Sequence, residues 1–548
     1  MFQRIGAAEA PLTWPPSLTR WRVSRRFSGL ARLGMTWVML RRILGHHADR
    51  ESHPVTVIIG DGPPGPVVPD DFAGLSFERG PLNAGNAGVD GYLFRPDNDS
   101  LVTLFRNLGL RSLRIGGGSV DFYPPAGTGP DGFTGVDNLF GFAAAAGAQV
   151  IYSLRLLSPS GKPVAGLKSA DAEAAGYIWG RYRENLASFA IGNEPDWHAF
   201  HSYPGHPHDP AIYEEIGGVP GSAYPSFLAT WQDFAGAVRA AAPGAPLAGP
   251  DTGAYTPLTY TPDPDHGVSW TERFAHDEAD AGRVADFTQH YYVGGSPGKT
   301  TAGQAIGNML SAEWVTGTEI GEQPAGTTYI PYPWFYESNL APVRAAGLRY
   351  RLTESNDYLT GVPGASNAFA AALWALDHLH WWAAHGAAGI NFHNKQWLYT
   401  DTIVPDPAAA GRYAVTPKGY GIKAFTLGSA GPVRPVTLSG VDGLNLTGYC
   451  VGDYLTLINK THGQSAADAV VTIRPPGPAR QGADVMTLAS AEPGDPGAVS
   501  ATLGGAPITG DAAWAGQWTT LPVSPDGTGI SLTVPATSAA LVRIQDAG

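Results

Sequence analysis

Phe189-Ala190-Ile191-Gly192-Asn193-Glu194-Pro195-Asp196 is the stretch that decides the fold of this 548-residue chain. The run from Leu186 to Ile191 is mostly apolar and short enough for a strand that is buried on both faces. A glycine and a proline then end the strand, so Asn193 and Glu194 lie where it opens into a loop. Packing does not require a carboxyl group there, and a protonated carboxyl group in such a place can act as a general acid. For this motif alone, an ordinary surface loop is the alternative.

A second stretch has the same form. Leu348-Arg349-Tyr350-Arg351-Leu352-Thr353-Glu354-Ser355-Asn356 is a strand-like run that ends in a carboxylate and a small polar pair. Two glutamates at the ends of two strands suit the hydrolysis of a glycosidic bond, in which one protonates the departing oxygen and the other attacks the anomeric carbon or activates water.

The region 70–424 contains eight strand-like runs that alternate with helical segments. In chain order the predicted strands are 72–77, 112–115, 149–154, 186–191, 247–251, 286–292, 348–356 and 389–394. This alternation predicts an α/β fold, a (β/α)8 TIM barrel, whose strands are all parallel. Glu194 follows the fourth strand and Glu354 lies near the end of the seventh. Both are therefore expected at the C-terminal face of the barrel, where active sites of this fold lie.

The pattern changes after the barrel. Residues 425–548 show short alternating runs between Gly/Pro turns, which predict a C-terminal all-β sandwich domain. A strand-like run within 51–69 has no place in the barrel, and we expect it to pair with the sandwich. Residues 1–50 are expected to form a poorly ordered N-terminal extension.

Charge and cysteine content exclude several classes of function. The net charge is −13, with +7 on residues 1–50 and −20 on the remainder, and so acidic a body argues against a nucleic-acid partner. Cys450 is the only cysteine, which rules out an intrachain disulfide and a cysteine metal cluster. Phe27 to Leu40 is interrupted by Arg32, so it is a poor secretory core and too short to span a bilayer. We therefore predict no clear signal peptide, no transmembrane helix and no stable membrane insertion, which leaves a secreted and a cytoplasmic location both open.

Six short motifs in this order resemble one enzyme family. They are Gly74-Leu75-Ser76-Phe77-Glu78, Leu113-Arg114-Ile115-Gly116-Gly117, Ile191-Gly192-Asn193-Glu194-Pro195-Asp196, His290-Tyr291-Tyr292, Thr353-Glu354-Ser355-Asn356 and Ile390-Asn391-Phe392-His393. Over residues 54–548 the chain resembles glycoside hydrolase family 79, the heparanase and β-glucuronidase family of the clan A retaining glycosidases. The resemblance implies a retaining exo-β-glycosidase, in the first place a β-glucuronidase, that hydrolyses a glucuronide-containing glycoside or oligosaccharide. It implies Glu194 as the acid/base and Glu354 as the nucleophile.

The resemblance also implies residues that bind the sugar. Asn193 is expected to donate to the sugar 2-OH, and Glu78 to bind remote hydroxyls. One of Tyr291 and Tyr292 is expected to hydrogen-bond Glu354, and the family pattern indicates Tyr291. Gly117 lies in a glycine run that allows substrate to approach the backbone.

Residues after the last two strands are expected to hold the C6 carboxylate of a glucuronide. They are Tyr358 and Gly361 after the seventh strand, and Lys395 and Tyr399 after the eighth. The chain has Leu359 where the family pattern has a tyrosine, and Lys395 is equally well explained as a solvated loop lysine.

Other readings of the sequence stay open. A β-glucosidase or β-xylosidase of the same clan fits the same motifs, and so does a non-catalytic carbohydrate-binding barrel. No cofactor and no metal are expected, because the loop with His201, His206 and His208 lacks a convincing fourth ligand. The aromatic segment 329–336 lies either at the barrel mouth or on its flank.

Overall fold

A computed structural model describes residues 51–87, 91–156, 164–196, 224–253, 269–279, 281–294, 297–312, 314, 331–395, 397–475, 482–523 and 529–544. The predicted extension 1–50 and the histidines of the loop after the fourth strand lie outside these residues. Within the described part of the chain, no helix has the length and apolar character needed to cross a membrane.

Eight parallel strands close into a barrel in sequence order, with the eighth strand hydrogen-bonded to the first. They are Ala73–Glu78, Ser112–Gly116, Gln149–Leu154, Leu186–Ile191, Leu247–Thr252, Val284–Tyr292, Tyr350–Asn356 and Gly389–Asn394. Almost every residue of these strands is buried, because side chains alternate between the barrel interior and the surrounding helices. The predicted TIM barrel is confirmed.

Helices cover the outside of the barrel. The described helical segments of the barrel domain are Gly80–Leu82 and Gly118–Asp121 (both 3-10 helices), Asp99–Leu108, Thr134–Ala146, Leu167–Tyr182, Tyr224–Ala241, Trp270–Ala279, Ala302–Met309, Tyr332–Phe335, Tyr336–Leu340 (a π-helical turn), Ala341–Ala345, Phe369–Ala384 and Pro417–Gly428. Local sequence sets their ends: the Asn98 side chain accepts the Leu101 N–H at the start of the helix Asp99–Leu108, and Gly109 ends it in the left-handed conformation. Residues 331–336 of the aromatic segment lie on the flank, because buried Tyr332 packs against Trp314 and Trp381.

Two sheets form the β-sandwich. The smaller sheet runs in the order Val436–Ser439, Glu51–Ile59, Ala467–Arg474 and Ile530–Val534. The larger runs Ala501–Leu503, Ala483–Ser490, Ser538–Ile544, Tyr454–Asn459, Leu446–Val451, Gly431–Arg434 and Val67–Val68, with Thr519–Leu521 paired to Ala483–Ser490. A shared apolar core that includes Val57, Leu457 and Val471 lies between them. The predicted C-terminal sandwich is confirmed, and the strand Glu51–Ile59 lies within its smaller sheet.

A buried ion pair joins the two domains. Asp377, on the helix Phe369–Ala384, accepts from Lys460 Nζ at 2.6 Å. Its other carboxylate oxygen accepts from the hydroxyls of Thr447 and Tyr449. All four groups belong to one network, so the barrel helix and the larger sheet are held in a defined relation.

Candidate active site

The mouth of the barrel brings the two predicted glutamates together. Glu194 directly follows the fourth strand, and Glu354 lies near the end of the seventh, almost fully buried. Three atoms there lie within 4.8 Å of one another: one carboxylate oxygen of Glu194, one of Glu354 and a ring nitrogen of His290. Paired carboxylates about 5 Å apart suit a retaining displacement, whereas an inverting one needs a wider gap for water.

Four side chains surround the carboxylate of Glu354, and one of them is His290, whose Nδ1 lies 3.8 Å from Oε2. Arg114 Nη1 donates to Oε2 at 2.7 Å, and the Tyr292 hydroxyl donates to Oε1 at 2.5 Å. His393 Nδ1 lies 3.6 Å from Oε2. Burial alone would raise the pKa of Glu354, but the charges of His393, His290 and Arg114 and the Tyr292 hydrogen bond outweigh it and hold the pKa far below its usual range. Glu354 is therefore ionised at neutral pH, as a nucleophile requires.

Tyr292, and not Tyr291, is the tyrosine that contacts Glu354. The prediction for Tyr291 is wrong because its side chain lies on the opposite face of the sixth strand. There its ring stacks on Phe335 at 4.2 Å and packs edge-on against Trp382, outside the barrel. Successive strand residues point to opposite faces, so His290 and Tyr292 both face the site.

Glu194 has a different environment. Its Oε1 lies 2.8 Å from His290 Nδ1, and its side chain is 12% exposed, so it is accessible from the mouth. Its backbone has a φ of 47°, which is uncommon for a residue with a side chain. The Glu194 N–H donates to the Asp251 carbonyl at 2.8 Å, so the end of the fifth strand holds this conformation.

His290 lies between the two glutamates. Burial alone would lower its pKa and Arg114 opposes its charge, but the charge of Glu354 and contacts with Asp251 and Glu194 raise the pKa to about 10. Metal binding needs a neutral imidazole, and Glu354 already pairs with Arg114. Glu194, His290 and Glu354 are therefore better suited to moving a proton than to holding a metal ion.

Asn193 and Glu78 also reach the mouth. Asn193 Oδ1 accepts from Arg114 Nη2 at 2.8 Å, which orients the amide so that its NH2 group is directed away from Arg114. Glu78 Oε2 accepts the Ser119 N–H at 2.8 Å, and its Oε1 lies 3.4 Å from His393 Nε2. Burial would raise the pKa of Glu78, but the hydrogen bond and charge of His393, and the charge of Lys395, lower it to about 2.

Gly117 makes room for Glu78. It has a φ of 70°, and a Cβ atom there would lie 2.5 Å from Glu78 Oε2. The space that a side chain at Gly117 would need is therefore occupied by the carboxylate of Glu78.

The four residues expected to hold a C6 carboxylate do not form one group of donors. Tyr358 is buried, with its hydroxyl 3.3 Å from Asn308 Nδ2. Gly361, with a φ of 77°, packs against the backbone of Tyr399 and Thr400, and the Tyr399 side chain is half-buried. Lys395 is exposed, and it is near enough to Glu78 to lower its pKa.

Sequence reasoning missed several polar residues that hold this arrangement, among them Asp251, His393 and Lys418. Lys418 is fully buried and donates to Asn356, Asp357 and Thr400. Asp251 and His393 lie at the ends of predicted strands, where a polar residue serves no packing need, and this was the available signal. Lys418 carried no such signal because it lies on the helix Pro417–Gly428.

No protein-family model matches the chain, and no curated protein matches it. Among solved structures, a 4-O-α-L-rhamnosyl-β-D-glucuronidase from Fusarium oxysporum 12S is similar, with 18% identity and a TM-score of 0.63 over 89% of this chain and 100% of that one. A family 51 arabinofuranosidase from Xanthomonas axonopodis pv. citri has 15% identity and a TM-score of 0.59 over 90% of this chain and 100% of that one.

A third similar structure is a xylanase of glycoside hydrolase family 30, subfamily 8, from Clostridium acetobutylicum. It has 12% identity and a TM-score of 0.51 over 89% of this chain and 98% of that one. At such identities the likeness shows the fold alone. The chain thus has the barrel-and-sandwich fold of these glycoside hydrolases, whose names refer to different sugars.

Proposed function

We propose that this protein is a retaining β-glycosidase of clan A, related to glycoside hydrolase family 79, with Glu354 as nucleophile and Glu194 as acid/base. The observation that carries the proposal is the pair of carboxylates at the barrel mouth, with an oxygen of each within 4.8 Å of the other. Their surroundings differ in the way the two roles require. Glu354 is held ionised by cations, whereas Glu194 shares a short contact with an imidazole that can supply a proton.

The reaction follows from these contacts. In the first step the Glu354 carboxylate attacks the anomeric carbon while the bond to the leaving oxygen breaks, and Glu194 gives that oxygen its proton. In the second step Glu194 takes a proton from water, the water oxygen attacks the anomeric carbon, and the ester to Glu354 breaks. Asn193, with its amide oxygen fixed by Arg114, is placed to donate to the sugar 2-OH, a bond that strengthens in the transition state.

The position of Glu194 also sets the direction of the substrate. The leaving group must lie on the Glu194 side, so the sugar that becomes attached to the enzyme lies toward His393 and Glu78. An ionised Glu78 is a hydrogen-bond acceptor and suits hydroxyl groups of that sugar.

We propose a β-D-glucuronide as the substrate and an exo mode of action. The support is the exposed ammonium group of Lys395, on the sugar side of the site, which can balance a C6 carboxylate. The neighbouring solved structure named as a rhamnosyl-glucuronidase is consistent with this choice.

One observation favours a second candidate, a β-glycosidase for neutral sugars such as a β-glucosidase or β-xylosidase. The hydroxyl of Tyr358 is buried and accepts from Asn308 Nδ2, and Glu78 presents a negative charge where a C6 carboxylate would add another. Both features lower the expected preference for a charged sugar.

A panel of 4-nitrophenyl β-glycosides that differ only at C6 separates the candidates. We expect kcat/KM for the glucuronide to exceed that for the glucoside by about a hundredfold, which corresponds to roughly 2.7 kcal/mol of transition-state binding. Proton NMR of the first-formed product is expected to show the β-anomer. A ratio near one would leave the glycosidase proposal intact and reject the glucuronide. A first-formed α-anomer, or no turnover of any glycoside, would reject the mechanism.

A further inference from the structure

Asp251 occupies a central position behind the two glutamates. It lies in the fifth barrel strand, Leu247–Thr252, between the strands that carry Glu194 and His290, and none of its surface is exposed. Its φ of 55° places it in the left-handed region, where a residue with a side chain is strained. Such strain persists only where surrounding contacts fix the residue, and it is concentrated at functional sites.

The backbone of Asp251 holds the proposed acid/base. Its carbonyl accepts the Glu194 N–H at 2.8 Å, across the C-terminal ends of two adjacent strands. Because Glu194 also has a positive φ, this hydrogen bond fixes a main-chain conformation that is otherwise disfavoured.

The side chain of Asp251 holds the proposed nucleophile through two neighbours. Its Oδ2 accepts from Arg114 Nη2 at 2.8 Å, and the other guanidinium nitrogen, Nη1, donates to Glu354. Its Oδ1 accepts from the hydroxyl of Thr353, the residue directly before Glu354, at 2.5 Å. Moving the Asp251 carboxylate would therefore move two of the groups that hold Glu354 in place, Arg114 and Thr353.

Asp251 also takes part in the charge balance around His290. The imidazole is faced by Glu194 from the fourth strand, Asp251 from the fifth, Glu354 from the seventh and Arg114 from the second. Asp251 Oδ1 lies 3.7 Å from His290 Nε2, on the side of the ring opposite to Glu194. An ionised Asp251 therefore places a second buried anion, besides Glu354, next to the cations Arg114 and His290 before any substrate binds.

We propose that Asp251 is the positioning residue of this site, which aligns Glu194 through its backbone and Glu354 through Arg114 and Thr353 without touching the substrate. Its charge also sustains the imidazolium form of His290, so that the His290–Glu194 pair retains a proton for the leaving group. The inference rests on the proposed glycosidase function and deepens it.

The test compares Asp251→Asn with wild type. Asparagine has the same shape but no charge, so we expect kcat to fall about a hundredfold while KM stays within about threefold. Loss of the anion makes His290 easier to deprotonate. The alkaline limb of the pH–rate profile should therefore move to lower pH, and the imidazole titration of His290, followed by NMR with His290→Asn as the assignment control, should move in the same direction.

Thr353→Val is the matched variant, because it removes one hydrogen bond to the same carboxylate and leaves every charge in place. We expect kcat to fall about threefold to tenfold with the His290 titration unchanged. This variant also carries the test if Asp251→Asn is recovered unfolded: a kcat equal to wild type would then overturn the positioning role.

Asp251→Asn could lower the melting temperature and leave kcat, the pH–rate profile and the His290 titration unchanged. That result would show that Asp251 has only a structural role, and it would overturn the inference. The NMR titration needs no substrate. If wild type hydrolyses no glycoside, the proposed function fails, while an unmoved His290 titration in Asp251→Asn separately rejects the electrostatic link.

Discussion

Replacing Lys418 by methionine tests whether the loops at the barrel mouth bind the sugar. Lys418 Nζ donates to Asn356 Oδ1 at 2.7 Å, Asp357 Oδ1 at 3.0 Å and the Thr400 carbonyl at 2.6 Å. It thereby joins the loop after the seventh strand to the loop after the eighth. These are the loops that carry Gly361, Lys395 and Tyr399.

The magnitude follows from burial. Lys418 and Asp357 have no exposed side-chain surface, so Lys418→Met leaves an uncompensated buried carboxylate. Removing one partner of such a pair costs about 3–5 kcal/mol. For a barrel of this size that corresponds to a fall in melting temperature of about 5 °C. If the two loops also shift by a fraction of an ångström, kcat/KM for the glycoside should fall about tenfold, mainly through KM.

Lys460→Met is the matched control. Lys460 is equally buried and pairs with Asp377 at 2.6 Å, but at the junction with the sandwich and away from the mouth. We expect a similar loss of stability, measured by thermal unfolding, with kcat and KM at 25 °C unchanged. The double variant Lys418→Met/Asp357→Asn should recover part of the lost stability, because it removes the orphaned charge. Equal kinetic effects from Lys418→Met and Lys460→Met, or unchanged kinetics in Lys418→Met, would refute the assignment of the two loops to sugar binding.

Three further predictions concern the carboxylates and their partners. Glu194→Gln should abolish turnover of glycosides with poor leaving groups. With a nitrophenyl glycoside, stopped-flow measurements should still show nitrophenol release in the first turnover, since a good leaving group needs no proton. Loss of that burst would contradict an acid/base role. Tyr292→Phe should lower kcat at least tenfold, because a hydrogen bond to a charged group is worth about 1.5–3 kcal/mol. Tyr291→Phe, on the other face of the strand, should change kcat less than about threefold. If steady-state kinetics show the larger loss for Tyr291→Phe, the contact between Tyr292 and Glu354 is rejected. The pKa of His290 is raised from 6.5 to about 10, so its contribution to stability is complete below pH 6.5 and is lost as the pH rises through about 10. The difference in unfolding free energy between wild type and His290→Asn, from denaturant titrations at several pH values, should shrink over that range, and a difference that grows with pH would reverse the assigned charge.

The barrel strands could be predicted because their burial requires apolar residues that are visible in the sequence. A strand covered on both faces needs a short apolar run, and three predicted strands, 149–154, 186–191 and 389–394, have the bounds seen in the structure. The seventh strand begins two residues later than predicted, at Tyr350. The two residues that were wrongly included are Leu348, which is partly buried, and Arg349, which is exposed. Because Leu348 is apolar, hydrophobicity alone did not mark the start of the strand.

The choice between Tyr291 and Tyr292 was beyond the sequence for a geometric reason. Alternation along one strand shows that the two tyrosines face opposite sides, but not which side is the interior. The register between the sixth and seventh strands shifts between Gln289 and His290. A shift of one residue changes which side chain meets Glu354, and no local pattern in the sequence marks it.

Long-range polar contacts were likewise invisible. Arg114 contacts Glu354 across 240 positions of chain, and Lys418 contacts Asp357 across 61. Polar residues inside apolar strands were visible as anomalies, but their partners depend on how the barrel closes. The sequence could therefore indicate that the strand ends carry chemistry, and it could not indicate which residues tune that chemistry.

The balance of charge at the mouth bears directly on the sugar. Arg114 is engaged by Glu354 and Asp251, and His290 by Glu194. His393 lies between Glu78 and Glu354, so all three groups are already engaged by the carboxylates of the proposed site. Lys395, on the sugar side, is exposed, and its charge already acts on Glu78. A C6 carboxylate therefore gains the attraction of Lys395 but must share it with Glu78, which keeps its second partner His393 at 3.4 Å. A shared cation gives a smaller preference than a dedicated one, which is why the expected ratio between glucuronide and glucoside is about a hundredfold and not the 10⁴–10⁵ that a fully paired polar site can reach.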